Sequence, residues 1–243
     1  MIYIVGLGPG EADQMTPKAL DAIRASDVVA GYTVYIDLIQ DMLAGKEVLS
    51  TPMMKEVERC KLAAKAAATG KTVAMVSSGD AGIYGMASLM IEVCAELGID
   101  TEIKVVAGIT AASSAAAVLG APLTHDFAVI SLSNLLTPWE KIATRLDLAS
   151  QAGFIIVLYN PSSKKRKDFL RHACEIVLKN CPEQTMCGYV QNIGRAGECA
   201  KVLPLIALKE ENVDMFTTVI IGNTSTKVVG GKLVTPRGYR LDD

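Results

Sequence analysis

Three glycine-rich segments, each directly after a short apolar run, constrain the fold of this chain most strongly. The longest covers residues 77–86 and reads SSGDAGIYGM, after the strand-like run Thr72–Val76. Segments of the same form occur at residues 4–10, IVGLGPG, and at residues 105–111, VVAGITA. Glycine at a strand end lets a ligand approach the backbone, and ligands of open α/β sheets bind beyond the carboxyl ends of the strands. We therefore predict that the three turns converge at one sheet edge on one small molecule.

The order of strand-like and helix-like segments predicts an α/β fold with two domains. Up to residue 119 short strands alternate with helices, which is typical of a mostly parallel sheet. After Gly120-Ala121-Pro122 the number of strands per helix rises, which favours a mixed sheet. The 243 residues suffice for two domains of about 120 residues each. We place the boundary at residue 121, which gives domains 1–121 and 122–243.

Local signals set the ends of several predicted helices. Thr16 followed by Pro17 is typical of an N-cap and a first helical residue. Further helices are predicted over residues 32–43 and 163–179. These helices would cover the sheet of each domain.

Composition and charge narrow the class of protein. Half of the residues are hydrophobic but only 5% are aromatic, which is typical of buried parallel strands packed by small-residue helices. The balance of 24 basic against 26 acidic residues excludes an overall basic nucleic-acid binder, although a local basic patch stays open. The first residues read as a strand, and no apolar run reaches the roughly 18 residues that cross a bilayer. The six cysteines form no CxxC pair, so we expect reduced thiols, no metal site and a cytoplasmic protein.

The first glycine segment departs from the dinucleotide-binding fingerprint. That fingerprint requires glycine at its sixth position, where this chain has Glu11. The next helix begins late, near Thr16, and the second strand ends at Gly31 rather than at an acid that could bind a ribose. We therefore favour a ligand loop of another kind over a nicotinamide or flavin site, with a plain tight turn as the alternative.

Several polar or small groups have two readings each. Asp80 could accept hydrogen bonds from ribose hydroxyls, cap the following helix, or do both. The turn at residues 108–114 could line a ligand pocket or serve close packing of helix and sheet. His125 and Asp126 could move protons, or form a solvated pair, because adjacent residues of an extended segment point in opposite directions.

Cations cluster where the sequence predicts the start of a helix. Residues 164–167 read KKRK, after a serine that could cap that helix. Positive charge is unfavourable in a first helical turn, so these cations indicate an acidic ligand, with a solvated basic face as the alternative. The tail at residues 235–239, TPRGY, could close a pocket or be a disordered end.

Taken in order along the chain, these segments resemble the tetrapyrrole methylase family of S-adenosylmethionine-dependent methyltransferases. The resemblance is carried by the segments GLGPG, SSGDAGIYG, GITA, YNPSS, GYVQNIG and FTTVIIG. Longer segments are similar to one branch of the family, which methylates carbon 17 of precorrin-3B or cobalt-precorrin-3 in cobalamin biosynthesis. They lie at residues 31–38, 125–133, 136–139, 222–226 and 235–239.

The resemblance implies the two-domain tetrapyrrole methylase fold, with the methyl donor in the cleft between the domains, and a homodimer. It implies methyl transfer to carbon 17 with contraction of the macrocycle, and S-adenosylhomocysteine as product. The implied donor-binding residues are Pro9, Ser78, Gly79, Asp80, Ile83, Thr110, Ala111, Asn160, Asn192, Thr217 and Thr218. Lys164, Lys165, Arg166 and Arg237 would bind substrate carboxylates. Tyr32, His125 and Asp126 are the candidates for proton movement.

Other functions stay open at this point. The first is another precorrin or uroporphyrinogen methyltransferase of the same fold, against which the segments at residues 31–38 and 125–133 argue. A methyltransferase acting on protein or RNA is disfavoured by the near-neutral charge. A nucleotide-dependent oxidoreductase is disfavoured by Glu11, and a non-catalytic binding protein by the three glycine turns.

Overall fold

A parallel sheet organises the first part of the chain in the computed structural model, which describes residues 1–10, 12–163 and 166–240. The chain divides into two units, Met1–Ala111 and Ala112–Asp243. The strands of unit 1 are β1 (Ile2–Gly6), β2 (Val28–Tyr32), β3 (Glu47–Thr51), β4 (Val73–Ser77) and β5 (Ile103–Val106). Their order across the sheet is β3-β2-β4-β1-β5, and every neighbouring pair is parallel. The mostly parallel sheet predicted for this part is confirmed.

Helices cover both faces of this sheet. They are α1 (Pro17–Arg24), α2 (Thr33–Asp37), α3 (Glu56–Ala68) and α4 (Ala87–Glu96), with 3₁₀ turns at Ala12–Gln14 and Gln40–Met42. On one face Ile4 and Met75 pack against α3 and α4, and on the other Val5 and Val76 pack against α1 and α2. Because both faces are buried, the central strands are almost entirely apolar, as their sequences indicated.

Two helix predictions in unit 1 have different outcomes. The start of α1 is confirmed, because the Thr16 hydroxyl accepts a hydrogen bond from the Ala19 N–H at 3.1 Å and Pro17 is the first helical residue. The helix predicted over residues 32–43 is wrong in extent. Tyr32 is still part of β2, and Ile39 leaves the helical conformation at φ −122° and ψ 20°. The segment therefore breaks into α2 and a 3₁₀ turn.

Unit 2 has a mixed sheet. Its strands are β6 (Gly120–Ala121), β7 (Phe127–Ser131), β8 (Ile155–Tyr159), β9 (Met186–Gln191), β10 (Cys199–Pro204), β11 (Thr217–Ile221), β12 (Lys227–Val229) and β13 (Lys232–Val234). The main order is β10-β9-β11-β8-β7, in which β7 and β8 are parallel and the other pairs antiparallel. The C-terminal hairpin of β12 and β13 pairs with β6, which gives a small sheet of order β12-β13-β6. The predicted mixed sheet is confirmed, but β6, β12 and β13 were not predicted.

The helices of this part are α5 (Ala111–Leu119), α6 (Trp139–Gln151), α7 (Phe169–Val177) and α8 (Leu205–Leu208). Almost all of α5 lies in unit 2, whereas sequence analysis set the division after that helix, at residue 121. The contacts of α5 give the reason. The Ala112 N–H donates to the Tyr159 hydroxyl at 2.7 Å, and Leu119 packs so closely on β9 that a Cβ added to Gly188 would lie 2.8 Å from it.

Helix α7 begins later than predicted. It starts at Phe169 after the N-cap residue Asp168, instead of near residue 163. Its buried face consists of Leu170, Ala173, Cys174 and Val177. Residues 163–167 contain no apolar side chain that could extend this face, and short helices depend on such packing. Arg166 and Lys167 therefore precede the helix. The prediction that they lie in its first turn is wrong, so the argument for an acidic ligand from that position does not apply to them. Lys164 and Lys165 lie outside the described residues.

The C-terminal segment is packed as far as Thr235. Its side chain is fully buried and shares a hydrogen bond of 2.8 Å with the Thr226 hydroxyl. The Thr124 hydroxyl donates to the Thr235 carbonyl oxygen. Beyond it, Arg237 and Tyr239 are exposed. The disordered-end alternative is thus wrong up to residue 235, and the role of the tail as a pocket cover stays a prediction.

Candidate functional site

The three glycine segments meet at one edge of the unit 1 sheet. They follow β1, β4 and β5, which are neighbours in the order β4-β1-β5 and run in the same direction. The Gly8 N–H donates to the Gly79 carbonyl at 3.0 Å, and the Gly79 N–H donates to the Gly8 carbonyl at 2.8 Å. The predicted convergence of the turns is confirmed.

Three glycines let these backbones touch, and we call Gly6, Gly79 and Gly108 the glycine cluster. A Cβ built on Gly108 would lie 2.2 Å from the Gly79 oxygen and 2.6 Å from the Gly6 oxygen. A Cβ on Gly6 would lie 2.6 Å from the Gly79 oxygen. Real Cβ contacts are not that short, so any side chain at Gly6 or Gly108 would separate the loops. The close approach at Gly108 is thus one between loops rather than between helix and sheet, and the pocket role of this turn stays a prediction.

Asp80 fastens two of the loops together. Its Oδ1 accepts from the N–H groups of Gly82 at 2.8 Å and Ile83 at 3.1 Å, and its Oδ2 accepts from the Gly108 N–H at 3.0 Å. The carboxylate does not cap α4, which begins at Ala87 without a side-chain cap, so the helix-cap alternative is wrong. A carboxylate has about four lone-pair sites, of which three are used here. One acceptor site therefore remains for a ligand hydroxyl.

The other predicted donor-binding residues of unit 1 lie on the same loops. Ser78, Gly79, Thr110 and Ala111 are partly exposed, whereas Pro9 is buried. Ile83 is 41% exposed, and two apolar side chains that sequence analysis missed are also exposed, Tyr84 at 58% and Ile109 at 41%. Tyr84 has a left-handed backbone with φ 53°, which is uncommon for a bulky residue and clusters at functional sites. The position of Tyr84, an aromatic residue inside a glycine-rich loop, was the feature of the sequence that could have indicated it.

Tyr32, a candidate for proton movement, lies at the end of β2 beside a buried cation. Arg59 of α3 is only 3% exposed, and its Cζ is 6.0 Å from the centre of the Tyr32 ring. Arg59 Nε donates to the Thr51 hydroxyl at 2.8 Å, Nη2 donates to the Pro52 carbonyl at 3.1 Å, and Nη1 is 3.9 Å from the Met86 sulfur. Sequence analysis missed Arg59, although helical spacing puts it on the alanine-rich buried face of α3.

In unit 2 the four remaining donor-binding candidates meet at one sheet edge. Asn160 follows β8 and Asn192 follows β9, while Thr217 and Thr218 begin β11, which lies between those strands. Both asparagines have left-handed backbones, with φ 53° and 52°, a conformation that asparagine adopts more readily than most residues. The Asn160 side-chain amide donates to the Ser131 hydroxyl at 3.0 Å.

An acid that sequence analysis missed organises this edge. Asp214 Oδ1 accepts from the Thr217 hydroxyl and the Phe216 N–H, both at 2.9 Å, and its Oδ2 accepts from the Gln191 amide at 2.8 Å. Thr217 is buried, and its hydroxyl hydrogen is directed to Asp214. The Thr217 hydroxyl therefore helps to hold Asp214 in place at this edge, and the backbone of Thr217 lies at the same edge.

A second polar network links β9 and β10. The Tyr189 hydroxyl donates to Glu211 Oε2 at 2.9 Å, and Lys201 lies 2.5 Å from Glu211 Oε1. The hydrogen bond from Lys201 lowers the pKa of Glu211 against the opposing effect of burial. Burial and the bond to Glu211 raise the pKa of Tyr189 to about 12. The network keeps Glu211 ionised and Tyr189 neutral.

His125 and Asp126 lie in front of β7 with side chains that are 51% and 82% exposed. His125 Nδ1 accepts from the Asp126 N–H at 2.9 Å and is 3.8 Å from an Asp126 carboxylate oxygen. This is the geometry of a solvated pair, and a role in proton movement stays a prediction. Tyr32 belongs to unit 1 and this pair to unit 2.

The predicted substrate cations are only partly described. Arg166 points inward: Nε donates to the Ser163 hydroxyl at 3.1 Å, Nη1 donates to the Leu132 carbonyl at 3.3 Å, and Cζ is 5.9 Å from the Phe169 ring centre. Burial lowers the pKa of Arg166. Lys164 and Lys165 lie outside the described residues, and Arg237 is exposed. A joint carboxylate site of these residues stays a prediction.

The six cysteines are free. Burial raises the pKa of Cys60 and Cys174 to about 12, so these thiols stay protonated near neutral pH. In residues 1–10, 12–163 and 166–240 no group of three or more His, Cys, Asp or Glu side chains could hold a metal ion. No helix in those ranges is long and apolar enough to cross a bilayer.

Comparison with known proteins places these features in a family. The profile of the tetrapyrrole (corrin/porphyrin) methylases matches residues 1–207. A probable cobalt-factor III C(17)-methyltransferase of Salmonella typhimurium is 43% identical over 241 residues, which are 99% of this chain and 100% of the relative. A precorrin-3B C(17)-methyltransferase of a Sinorhizobium species is 38% identical over 98% of this chain and 96% of its own. The crystal structure of the methyltransferase CobJ has a TM-score of 0.90 and 34% identity, covering 97% of this chain and 99% of that chain.

Proposed function

The chain belongs to the tetrapyrrole (corrin/porphyrin) methylase family, and on this premise we propose that it methylates carbon 17 of precorrin-3B or its cobalt-containing counterpart. The methyl donor is S-adenosylmethionine, and methylation accompanies contraction of the macrocycle. The observation that carries the proposal is the 43% identity to a probable cobalt-factor III C(17)-methyltransferase, which extends over that relative's full length.

The loops at the glycine cluster fit an adenosyl group. Asp80 keeps about one acceptor site for a ribose hydroxyl, because three backbone N–H groups use the others. Ile83, Tyr84 and Ile109 are exposed apolar side chains that an adenine ring would cover. Backbone groups of Pro9, Ser78, Gly79, Thr110 and Ala111 would complete the contacts. Asn160, Asn192, Thr217 and Thr218 are proposed as further contacts, and the position of the donor between the domains stays a prediction.

The protein's task in this reaction is mainly one of alignment. The sulfonium donor supplies a methyl group that is already electrophilic, so no strong activating group is required. The rigid loops would hold the donor so that its methyl group faces the nucleophilic carbon, which supplies the electron pair of the new bond. Tyr32, His125 and Asp126 are retained as candidates for the proton movements of ring contraction.

We further propose that the substrate carries cobalt. The named cobalt-factor III relatives are 42–45% identical to this chain, against 38% for the precorrin-3B enzyme. The alternative, another precorrin or uroporphyrinogen methyltransferase, has less support. The cobalt precorrin-4 methyltransferase structure has a TM-score of 0.71 and 26% identity, below the values for CobJ.

Calorimetric titration with S-adenosylhomocysteine tests the donor site. It should be followed by titration with cobalt-loaded and metal-free forms of the tri-methylated macrocycle. We expect binding of the nucleoside, preference for the cobalt form, and a mass gain of one methyl group when labelled S-adenosylmethionine is added.

Failure to bind the nucleoside would refute the methyltransferase proposal. Preference for the metal-free macrocycle would refute only the part about cobalt. The homodimer and the cytoplasmic location implied by the resemblance also stay predictions, and sedimentation velocity would test the first.

A further inference from the structure

Arg59 is a buried cation for which unit 1 provides no counter-charge in the residues that the structure describes. Its side chain is 3% exposed, and no described carboxylate lies within 4.0 Å of the guanidinium. Removing a charge from water is costly, and buried charges are therefore normally paired. The neighbouring aromatic ring of Tyr32 offsets only part of that cost.

The hydrogen bonds of Arg59 leave one side of the guanidinium poorly satisfied. A guanidinium has five N–H donors. Strong acceptors serve two of them, the Thr51 hydroxyl at Nε and the Pro52 carbonyl at Nη2. Nη1 contacts the Met86 thioether, a weak acceptor, at 3.9 Å. The Nη1 side is thus the part of Arg59 that lacks an oxygen partner among the described residues.

A second polar group on the same face of the sheet also lacks a partner. Ser77 is the last residue of β4, and strand alternation puts it on the face of Val73 and Met75, which α3 and α4 cover. Its hydroxyl is buried and has no hydrogen-bond partner within residues 1–10, 12–163 and 166–240. Tyr32 at the end of the adjacent strand β2 has its ring near Arg59. Two incompletely satisfied buried groups therefore lie on one face, near the carboxyl ends of adjacent strands.

We propose that the Nη1 side of Arg59 binds a ligand carboxylate. The inference depends on the proposed function, because both of its ligands carry carboxylates: the methionine end of the donor and the acid side chains of the macrocycle. An oxyanion would replace the Met86 thioether as acceptor, and the flexible methionine side chain can move aside. The carboxylate would supply the missing counter-charge and a pair of charge-assisted hydrogen bonds.

The test compares Arg59→Met, which keeps the length of the side chain but removes the charge, with two controls. Lys65→Met removes an exposed cation from the same helix. Thr51→Val removes the acceptor at Nε and leaves the guanidinium in place. Each variant is titrated by calorimetry with S-adenosylhomocysteine, with 5′-methylthioadenosine, which lacks the amino-acid end, and with the cobalt-loaded macrocycle.

We expect Arg59→Met to raise the Kd of one carboxylate-bearing ligand by on the order of 10- to 100-fold. Lys65→Met should change no Kd by more than about 2-fold. Weaker S-adenosylhomocysteine binding with unchanged methylthioadenosine binding identifies the donor carboxylate, and weaker macrocycle binding identifies the substrate carboxylates. Unchanged binding of both ligands would overturn the inference. If the unmodified protein bound neither ligand, the proposed function would fail together with this inference.

Thermal unfolding of the same variants separates binding from a structural role. Arg59→Met removes the cost of burying an unpaired charge, but it also leaves the Thr51 hydroxyl and the Pro52 carbonyl without their donor. Because these two effects oppose each other, we expect Arg59→Met to unfold near the temperature of the unmodified protein. If Arg59 had only a structural role, Arg59→Met and Thr51→Val would both lower the unfolding temperature, and both would weaken the binding of all three ligands to the same extent. Should Arg59→Met not fold, Arg59→Lys replaces it, and equal Kd changes for all three ligands would again overturn the inference.

Discussion

Replacing Gly108 by alanine should separate the loops of the glycine cluster. The φ angle of Gly108 is not positive, so alanine can adopt its backbone conformation and only space is at issue. The added Cβ would lie 2.2 Å from the Gly79 oxygen and 2.6 Å from the Gly6 oxygen. Both neighbours are backbone atoms, which cannot rotate away. The loops must therefore move apart by about 1 Å to restore ordinary van der Waals contact.

The size of the effect follows from the bonds that this movement breaks. A shift of about 1 Å stretches the 3.0 Å bond from the Gly108 N–H to Asp80 Oδ2 beyond hydrogen-bond length. The paired bonds between Gly8 and Gly79, at 3.0 and 2.8 Å, are strained by the same movement. Overpacking costs about 1–3 kcal/mol and each lost hydrogen bond about 1 kcal/mol. We expect a loss of about 3–5 kcal/mol in the free energy of unfolding, a large part of a typical domain's total.

Urea denaturation measures this loss, and Gly82→Ala is the matched control. Gly82 lies in the same loop as Asp80, and its φ is not positive. Among the residues that the structure describes, an added Cβ would come within 4 Å of Asp80 Oδ1 alone, at 3.3 Å. We expect that variant to lose less than about 1 kcal/mol and to bind S-adenosylhomocysteine normally, whereas Gly108→Ala should bind it at least about 10-fold more weakly. Equal urea midpoints for the two variants would refute the steric reasoning.

Three further changes test other contacts. Asp80→Asn keeps an acceptor for two N–H groups but turns its amide nitrogen toward the Gly108 N–H. Urea denaturation should therefore show a loss of about 1–2 kcal/mol for Asp80→Asn and about 3 kcal/mol for Asp80→Ala. If neither variant lost stability, Asp80 would not hold the two loops together. Because Lys201 lowers the pKa of Glu211 below 4.5, the carboxylate's contribution is complete above about pH 5 and is lost as the pH falls through the lowered pKa. Glu211→Gln should therefore cost about 1 kcal/mol at pH 7, and a difference that did not shrink as the pH was lowered further and further below 4.5 would disprove this origin. Asn160→Gly should be more stable than Asn160→Ala by about 1 kcal/mol in thermal unfolding, since only glycine accepts φ 53° without strain.

The sequence predicted those parts of the fold that depend on local pattern. Alternating strands and helices gave the parallel sheet of unit 1, and the carboxyl ends of parallel strands necessarily share an edge. For that reason the glycine turns could be brought together before any contact was known. The start of α1 depends only on Thr16 and Pro17, and it was predicted correctly.

Features that depend on distant contacts could not be predicted in the same way. Asp80 accepts a hydrogen bond from Gly108, 28 residues away, and no local pattern indicates that pairing. Helix α7 begins later than predicted because the polar segment before Phe169 has no apolar face to bury against the rest of the protein. Arg59 was overlooked because a charged residue on a buried helix face contradicts the usual pattern, and that contradiction was itself the signal.

The glycine cluster also has a consequence for the order in which the chain can acquire its ligand. Its members come from the beginning, the later part and the end of unit 1. Strand β1 receives its partners β4 and β5 only after β2 and β3 have been synthesised. Contacts between such distant segments form slowly. A growing chain that stops before residue 103 has neither β5 nor the Gly108 N–H to which Asp80 is bonded. The part of the proposed nucleoside site that unit 1 contributes therefore cannot be complete before residue 108 has left the ribosome.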